Sequence, residues 1–174
     1  MADFDKIDQV VENDLRNSGM KYGLEFRLVP SDMLKKDWVI PSLTWESIQY
    51  NKGDKNNIPD DKKGIYAFAI RHCSDVLPPH LYILYVGIAG IGDKSSLRSR
   101  YESYLNTGEV LGRAKITKMI SLWRDVLVFL FAPIEDKTSN SQLEKLEEQI
   151  NDALRPPMSQ KDYTSNIRRG KRAF

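Results

Sequence analysis

Two apolar stretches, GIYAFAI at 64–70 and LYILYVGI at 81–88, decide the fold of this chain. Each is a short apolar run rich in aromatic and β-branched residues, which is typical of a strand buried in a sheet. The segment between them, HCSDVLPPH, is short and contains two prolines. Because so short a connection suits a hairpin and not a crossover, the sequence predicts that the two strands pair antiparallel.

Helical and strand patterns continue after these two stretches. Helices are predicted over 95–105, 113–124 and 139–157, and a third buried strand over 125–134. Either Ser95 or Ser96 is expected to cap the first helix. Ser141 and Glu144 have the spacing of a capping box at the start of the last helix. The order β-β-α-α-β-α predicts the α+β class, with helices flanking a small, three-stranded, mainly antiparallel sheet.

Composition divides the chain into three parts. Residues 1–60 are predicted to form an N-terminal extension, with a helix over 4–17 and a short strand over 24–29. Loops are predicted over 30–62, and they mark the boundary of the main domain. Residues 61–160 are expected to be the main domain, and residues 161–174 a basic tail. The tail residues Arg168, Arg169, Lys171 and Arg172 could contact phosphates, and a solvated terminus explains them equally well.

The composition is that of an ordinary globular protein, with 41% hydrophobic and 29% charged residues. No apolar run approaches the roughly 18 residues of a membrane span, and the acidic start MADFDKID is unlike a signal peptide. The single cysteine, Cys73, cannot form an internal disulfide. We therefore expect a cytoplasmic protein without a membrane partner. Its net charge of +2 does not by itself indicate nucleic acid.

One carboxylate of the last predicted helix is unusually placed. At about 100° per residue, Glu147 falls about 40° from Leu143, at the margin of the apolar stripe. Glu144, Glu148 and Asp152 are predicted to project into solvent. A carboxylate beside a buried face costs desolvation energy unless a cation or a donor meets it. Glu147 is therefore either a cation ligand or a side chain that reaches water from the rim.

Other polar groups fall on inner faces as well. Arg100 shares a helical face with Leu97 and Tyr104, where its planar fork could hold a phosphate or a structural ion pair with Glu147. Tyr66 and Tyr85 lie on the two paired strands. Buried tyrosines usually serve packing, although both hydroxyls could instead point into one cleft.

Taken together, GIY at 64–66, YVG at 85–87, the arginine on the following helix and the glutamate before Pro156 resemble the GIY-YIG nuclease family. The resemblance covers roughly residues 60–160. It implies that Tyr66 is the general base for the attacking water and that Tyr85 orients water or phosphate. Arg100 would contact the scissile phosphate, Tyr104 would occupy a further active-site position, and Glu147 would bind a single Mg²⁺ or Mn²⁺ ion.

The chain departs from the family pattern at two positions. Ile88 stands where many relatives have lysine, and Ser159 where many have asparagine, so Lys94 is considered as a replacement cation. Lys94, Ser159, Arg168 and Arg169 are the expected substrate contacts.

The resemblance implies a metal-dependent endonuclease that cleaves DNA, with RNA left open, to 5′-phosphate and 3′-hydroxyl ends. In this mechanism Arg100 and the cation are expected to lower the pKa of Tyr66. The alternative is a catalytically impaired module that binds nucleic acid or protein.

Overall fold

The computed structural model describes residues 4–18, 33, 37–72, 76, 78–91 and 95–159. Its helices are α1 (Phe4–Ser18), α2 (Leu97–Leu105), α3 (Thr107–Leu111), α4 (Ala114–Trp123) and α5 (Asn140–Leu154), and a 3₁₀ turn covers Gly53–Asn57. Its strands are β1 (Glu46–Gln49), β2 (Gly64–His72), β3 (His80–Ala89) and β4 (Leu127–Pro133). The predicted α+β class is confirmed.

The four strands form one antiparallel sheet in the order β1-β4-β2-β3. The expected antiparallel pairing of β2 with β3 is confirmed, with Tyr66 opposite Gly87. The prediction of three strands was wrong, because β1 adds a fourth beside β4. In β1 only Ile48 is buried, so its four residues lack the alternating pattern that would reveal a strand. The predicted strand over 24–29 lies outside the described residues.

A β-bulge interrupts the pairing of β2 with β3. Phe68 pairs with Tyr85 and Ala69 with Ile83, so Leu84 is the extra residue on β3. The bulge lets Tyr85 and Leu84 both pack toward the core around Tyr66, whereas Ile83 faces the opposite core. Bulges commonly redirect a side chain beside a functional site.

Two hydrophobic cores lie on the two faces of the sheet. Helices α1 to α4 pack on the face that carries Tyr66, Phe68 and Phe129. Helix α5 packs on the other face, where Leu143 and Leu146 meet Val86. The two faces alternate along β2 as a period of two requires, so neighbouring residues of one strand serve different cores.

Side-chain caps fix where the helices begin. Ser96 caps α2 and accepts a hydrogen bond from the backbone N–H of Ser99 at 3.1 Å, as expected. The capping box of α5 is formed by Ser139 and Gln142, not by Ser141 and Glu144, so that prediction was wrong by two residues. The start at Asn140 places Glu144 in the second turn of the helix. Short helix α3 was not predicted, because five residues cannot show a helical period.

Candidate functional site

A polar cleft of about 330 Å³ opens at the edge strand β3. Its lining residues are Tyr66, Tyr85, Ile88, Ile91, Ser95, Arg100, Glu144 and Glu147. Helix α2 contributes from one face of the sheet and α5 from the other, so the cleft brings both faces together around the edge. Four of the five residues predicted to be catalytic line this one cleft. The fifth, Tyr104, is buried behind Tyr66.

Tyrosines form the inner wall of the cleft. The Tyr66 and Tyr104 hydroxyls lie 2.8 Å apart, and Arg100 Nε donates to the Tyr66 hydroxyl at 3.1 Å. Tyr66 and Tyr104 have almost no exposed surface. Tyr85 is only partly buried, and its ring centroid lies 6.2 Å from that of Tyr66. Tyr85 is thus the phenol of this wall that is most accessible from the cleft.

Burial controls the acidity of the inner phenols. It raises the pKa of Tyr66 well above its usual value, and the neighbouring Tyr104 phenol adds to the increase. The Arg100 guanidinium lowers the pKa of Tyr66 by a smaller amount. From the sequence, Arg100 and a bound cation were together expected to lower this pKa. Arg100 does lower it, but the phenol is fully buried, and desolvation disfavours the phenolate more strongly than Arg100 favours it. Tyr66 is therefore a neutral hydroxyl at pH 7 in this arrangement.

Arg100 is held in place by that same hydroxyl. The Tyr66 phenol raises the pKa of Arg100, so its guanidinium stays charged. Only Nε is used in this contact, and among the described residues none hydrogen-bonds the two terminal nitrogens. In arginine–phosphate pairs, such nitrogens commonly donate the two parallel hydrogen bonds of a bidentate contact. Arg100 thus lines the cleft with two terminal nitrogens that make no hydrogen bond to the described residues.

A glycine makes room for the Tyr66 hydroxyl. A Cβ at Gly87 would stand 2.5 Å from that hydroxyl and 3.0 Å from the Tyr85 ring. Real Cβ atoms essentially never approach so closely, so any side chain at Gly87 would displace one of the two tyrosines. The glycine of the YVG stretch is therefore a direct requirement of the tyrosine wall.

Helix α5 supplies the opposite wall. Its apolar stripe includes the buried Leu143 and Leu146, and Glu147 lies beside that stripe, partly buried. The helical wheel anticipated this position. Glu144 was predicted to project away into solvent, and it is exposed, yet it also lines the cleft one turn before Glu147. A helical wheel describes one helix alone, so it could not show that another part of the chain faces Glu144.

The carboxylates of the cleft suit a hard divalent cation only in part. No group of three or more His, Cys, Asp or Glu residues that could hold a metal occurs within the described ranges. Mg²⁺, however, is usually bound by one or two carboxylates, with waters and substrate phosphate completing an octahedron. Glu147, with Glu144 beside it, provides that number of oxygen donors in an open cleft. The donor set therefore fits Mg²⁺ or Mn²⁺ in company with a phosphate.

The residues expected to contact substrate do not line the cleft in the described part of the chain. Ser159 is fully buried, and its hydroxyl accepts a hydrogen bond from the backbone N–H of Val86 at 3.0 Å. It anchors the strand residue after Tyr85, so its assignment as a substrate contact was wrong. Lys94, Arg168 and Arg169 lie outside the described residues.

Sequence reasoning did not find the apolar part of the lining. Ile88 and Ile91 contribute aliphatic surface, and Ser95 a hydroxyl, from β3 and the segment that follows it. Ile88 was noted only because a lysine is absent there. Arg100 is accordingly the one cationic side chain among the described residues of the lining.

Comparison with models of protein families, with curated proteins and with solved structures finds no match for this chain. In the described part of the chain, no helix has the length and apolar character needed to cross a membrane.

Proposed function

We propose that the protein is a divalent-metal-dependent endonuclease that hydrolyses phosphodiester bonds in DNA and leaves 5′-phosphate and 3′-hydroxyl ends. The observation that carries the proposal is the common cleft lined by Arg100, Tyr85 and Glu147. A guanidinium suits a phosphate, a carboxylate suits a hard cation, and a hydroxyl suits water. The four-part resemblance to GIY-YIG nucleases supports the same conclusion.

In the proposed mechanism each residue has one task. Arg100 binds the scissile phosphate through its terminal nitrogens and stabilises the charge that develops in the transition state. The Tyr66 hydroxyl, paired with Tyr104, fixes the orientation of the guanidinium. Tyr85 hydrogen-bonds the attacking water or a phosphate oxygen. Because burial raises the pKa of Tyr66, we assign this phenol a positioning role and not that of the general base.

Glu147 is the proposed ligand of Mg²⁺ or Mn²⁺. When bound, the cation supplies positive charge to the phosphate and Lewis acidity toward water. The proposal includes a cytoplasmic location, which the lone Cys73 supports.

Nicking of a supercoiled plasmid in Mg²⁺ tests the proposal. We expect Glu147→Gln and Arg100→Met to reduce the rate by roughly 100-fold or more, as loss of one electrostatic contact to a transition state does. The matched controls are Glu148→Gln, on the same helix, and Arg71→Met, an exposed arginine at the far end of β2. Ligation of the nicked product, which needs a 5′-phosphate, tests the predicted ends. Equal nicking by all five proteins would remove the catalytic assignment.

A module that binds nucleic acid without cleaving it is the second candidate. It is favoured by Ile88, an aliphatic side chain in the lining where relatives of the GIY-YIG type often have lysine. This candidate predicts that wild-type protein retains a labelled duplex in a gel-shift assay but does not nick it in Mg²⁺ or Mn²⁺.

A further inference from the structure

The arginines of the described chain differ in how far their side-chain donors are used. Arg98 donates three hydrogen bonds and Arg124 donates two, so both hold parts of the fold together. The Arg113 side chain, in contrast, makes no hydrogen bond to any described residue. Its acidic neighbour Glu109 lies 3.6 Å away, which is too long for a hydrogen bond. Both side chains of this pair reach solvent, and such ion pairs contribute little to stability.

The position of Arg113 in the sequence is unfavourable for helix α4. Arg113 is the N-cap residue of that helix, and its side chain makes no capping hydrogen bond. A serine, threonine, aspartate or asparagine at this position would accept a hydrogen bond from the first turn. A positive charge at this end of a helix also opposes the helix dipole. The stability of α4 therefore gives no reason for an arginine at position 113.

The guanidinium of Arg113 lies against the tyrosine wall of the cleft. Its Cζ is 5.4 Å from the centroid of the Tyr104 ring, and that centroid is 6.4 Å from the ring centroid of Tyr85, which lines the cleft. The hydroxyls of Tyr104 and Tyr66 are hydrogen-bonded to each other. Arg113 therefore contacts one end of this phenol pair, through Tyr104, and Arg100 contacts the other, through Tyr66. A guanidinium held over a ring is placed without using its N–H donors.

We propose that Arg113 binds a second phosphate of the DNA strand whose scissile phosphate is held by Arg100. This inference rests on the proposed function and deepens it, since it requires a polynucleotide and not an isolated phosphodiester. Phosphates recur along each DNA strand about every 3.4 Å of helix axis, so a strand bound in the cleft carries further phosphates past the margin of the cleft. The Arg113 guanidinium suits one of them, because it is charged and can donate two hydrogen bonds at once.

The direct test measures binding of a fluorescent DNA duplex to the full chain by anisotropy, in EDTA so that no cation supports cleavage. We expect Arg113→Met to weaken binding roughly tenfold at one fixed salt concentration, as loss of a hydrogen-bonding contact to a charged group does. The plot of log affinity against log salt concentration should become shallower by about 0.9, the value for one phosphate contact on a duplex.

Two further variants separate a phosphate contact from a role in packing. Arg113→Lys keeps the charge but not the planar fork, so it should restore the salt slope and part of the affinity. Arg71→Met removes one positive charge from an exposed position at the far end of β2, and it should bind the duplex as the wild type does. Circular dichroism of each variant establishes that it is folded.

The outcomes separate this inference from the proposed function. If Arg113→Met has the affinity and the salt slope of Arg71→Met, Arg113 does not contact phosphate, even if Arg100→Met no longer nicks DNA. Weaker binding with an unchanged slope, or a wild-type protein that does not bind the duplex, also overturns the contact. If binding depends on Arg113 in the predicted way but the wild type never nicks DNA, the proposed nuclease is overturned and the phosphate contact stands.

Discussion

The two walls of the cleft differ in how they are built. The tyrosine wall is buried: Tyr66 and Tyr104 have almost no exposed surface, their hydroxyls are hydrogen-bonded to each other, and Arg100 donates to the hydroxyl of Tyr66. The α5 wall presents Glu144 exposed and Glu147 partly buried. Since the first wall belongs to the main core and the second is an edge of one helix, we expect stability and activity to be coupled only in the first.

Gly87→Ala, in the tyrosine wall, should have the largest effect on stability and activity. The new Cβ would overlap the Tyr66 hydroxyl or force the Tyr85 ring to move, and such overpacking typically costs about 1 to 3 kcal/mol of unfolding free energy. We expect nicking to be lost as well, because Arg100 loses its oriented partner. Urea denaturation and the plasmid assay measure the two effects.

Gly108→Ala is the matched control for that substitution. Its Cβ would meet only Asn106 Oδ1, at 3.5 Å, in helix α3. Alanine is a better helix former than glycine, so this variant should be as stable as the wild type or more so. If Gly87→Ala behaved like Gly108→Ala, the tyrosine wall would not be as tightly packed as the structure indicates.

Ser159→Ala should have a smaller effect, limited to stability. The substitution leaves the buried backbone N–H of Val86 without its acceptor, which costs about 1 to 2 kcal/mol. Ser141→Ala, at an exposed position of α5, is the control and should change the unfolding free energy little. A loss of nicking in Ser159→Ala at full stability would return Ser159 to the substrate contacts.

The two walls and the sheet show which parts of the fold and of the site can be predicted from the sequence. Strands β2 and β3 were predictable because their apolar runs are long and close together, and Glu147 because it interrupts an apolar stripe. Strand β1 was not, since four residues pair with a strand some 80 positions away in the chain. The place of Glu144 in the lining also escaped, because the other lining residues come near it only in the folded chain, and no helical period encodes that.

The pKa of Tyr66 is likewise only partly predictable from the sequence. A neighbouring arginine can be guessed from sequence, and its effect on the phenol has the expected sign. The complete burial of the hydroxyl depends on Phe129 from β4 and Tyr104 from α2, which stack and cross against the Tyr66 ring. Such long-range packing decides the direction of the pKa shift, and only the folded structure supplies it.

Because the Tyr66 hydroxyl is buried, the protein should lose stability at alkaline pH. Above about pH 10 the unfolded chain releases the Tyr66 proton. The folded chain retains that proton because burial raises the pKa of Tyr66. The unfolded state then binds fewer protons, so the unfolding free energy falls as pH rises, by about 1.4 kcal/mol per pH unit for each such phenol. The folded pKa of Tyr104 is raised in the same way.

Tyr66→Phe should therefore show a shallower decline between pH 10 and about 12, with a slope smaller by up to about 1.4 kcal/mol per pH unit. Urea denaturation at several pH values measures the slope. Tyr82→Phe is the matched control, because it removes the hydroxyl of an exposed tyrosine. Identical slopes for wild type and Tyr66→Phe would mean that the phenol ionises freely in the folded protein, and the general-base role would be open to it again.

The smallest effect is expected on the α5 wall. Glu144→Gln replaces an exposed side chain, so without metal its unfolding free energy should stay within about 0.5 kcal/mol of the wild type. Under the proposed function, Mn²⁺ should stabilise the wild type, since a ligand that binds only the folded state adds to its stability, and should stabilise Glu147→Gln less. Thermal denaturation with and without Mn²⁺ measures both quantities, and Glu148→Gln should match the wild type in each. Loss of one exposed carboxylate should destabilise the fold far less than a steric clash in the core. If Glu144→Gln without metal lost as much unfolding free energy as Gly87→Ala, the α5 wall would contribute to stability as much as the tyrosine wall does.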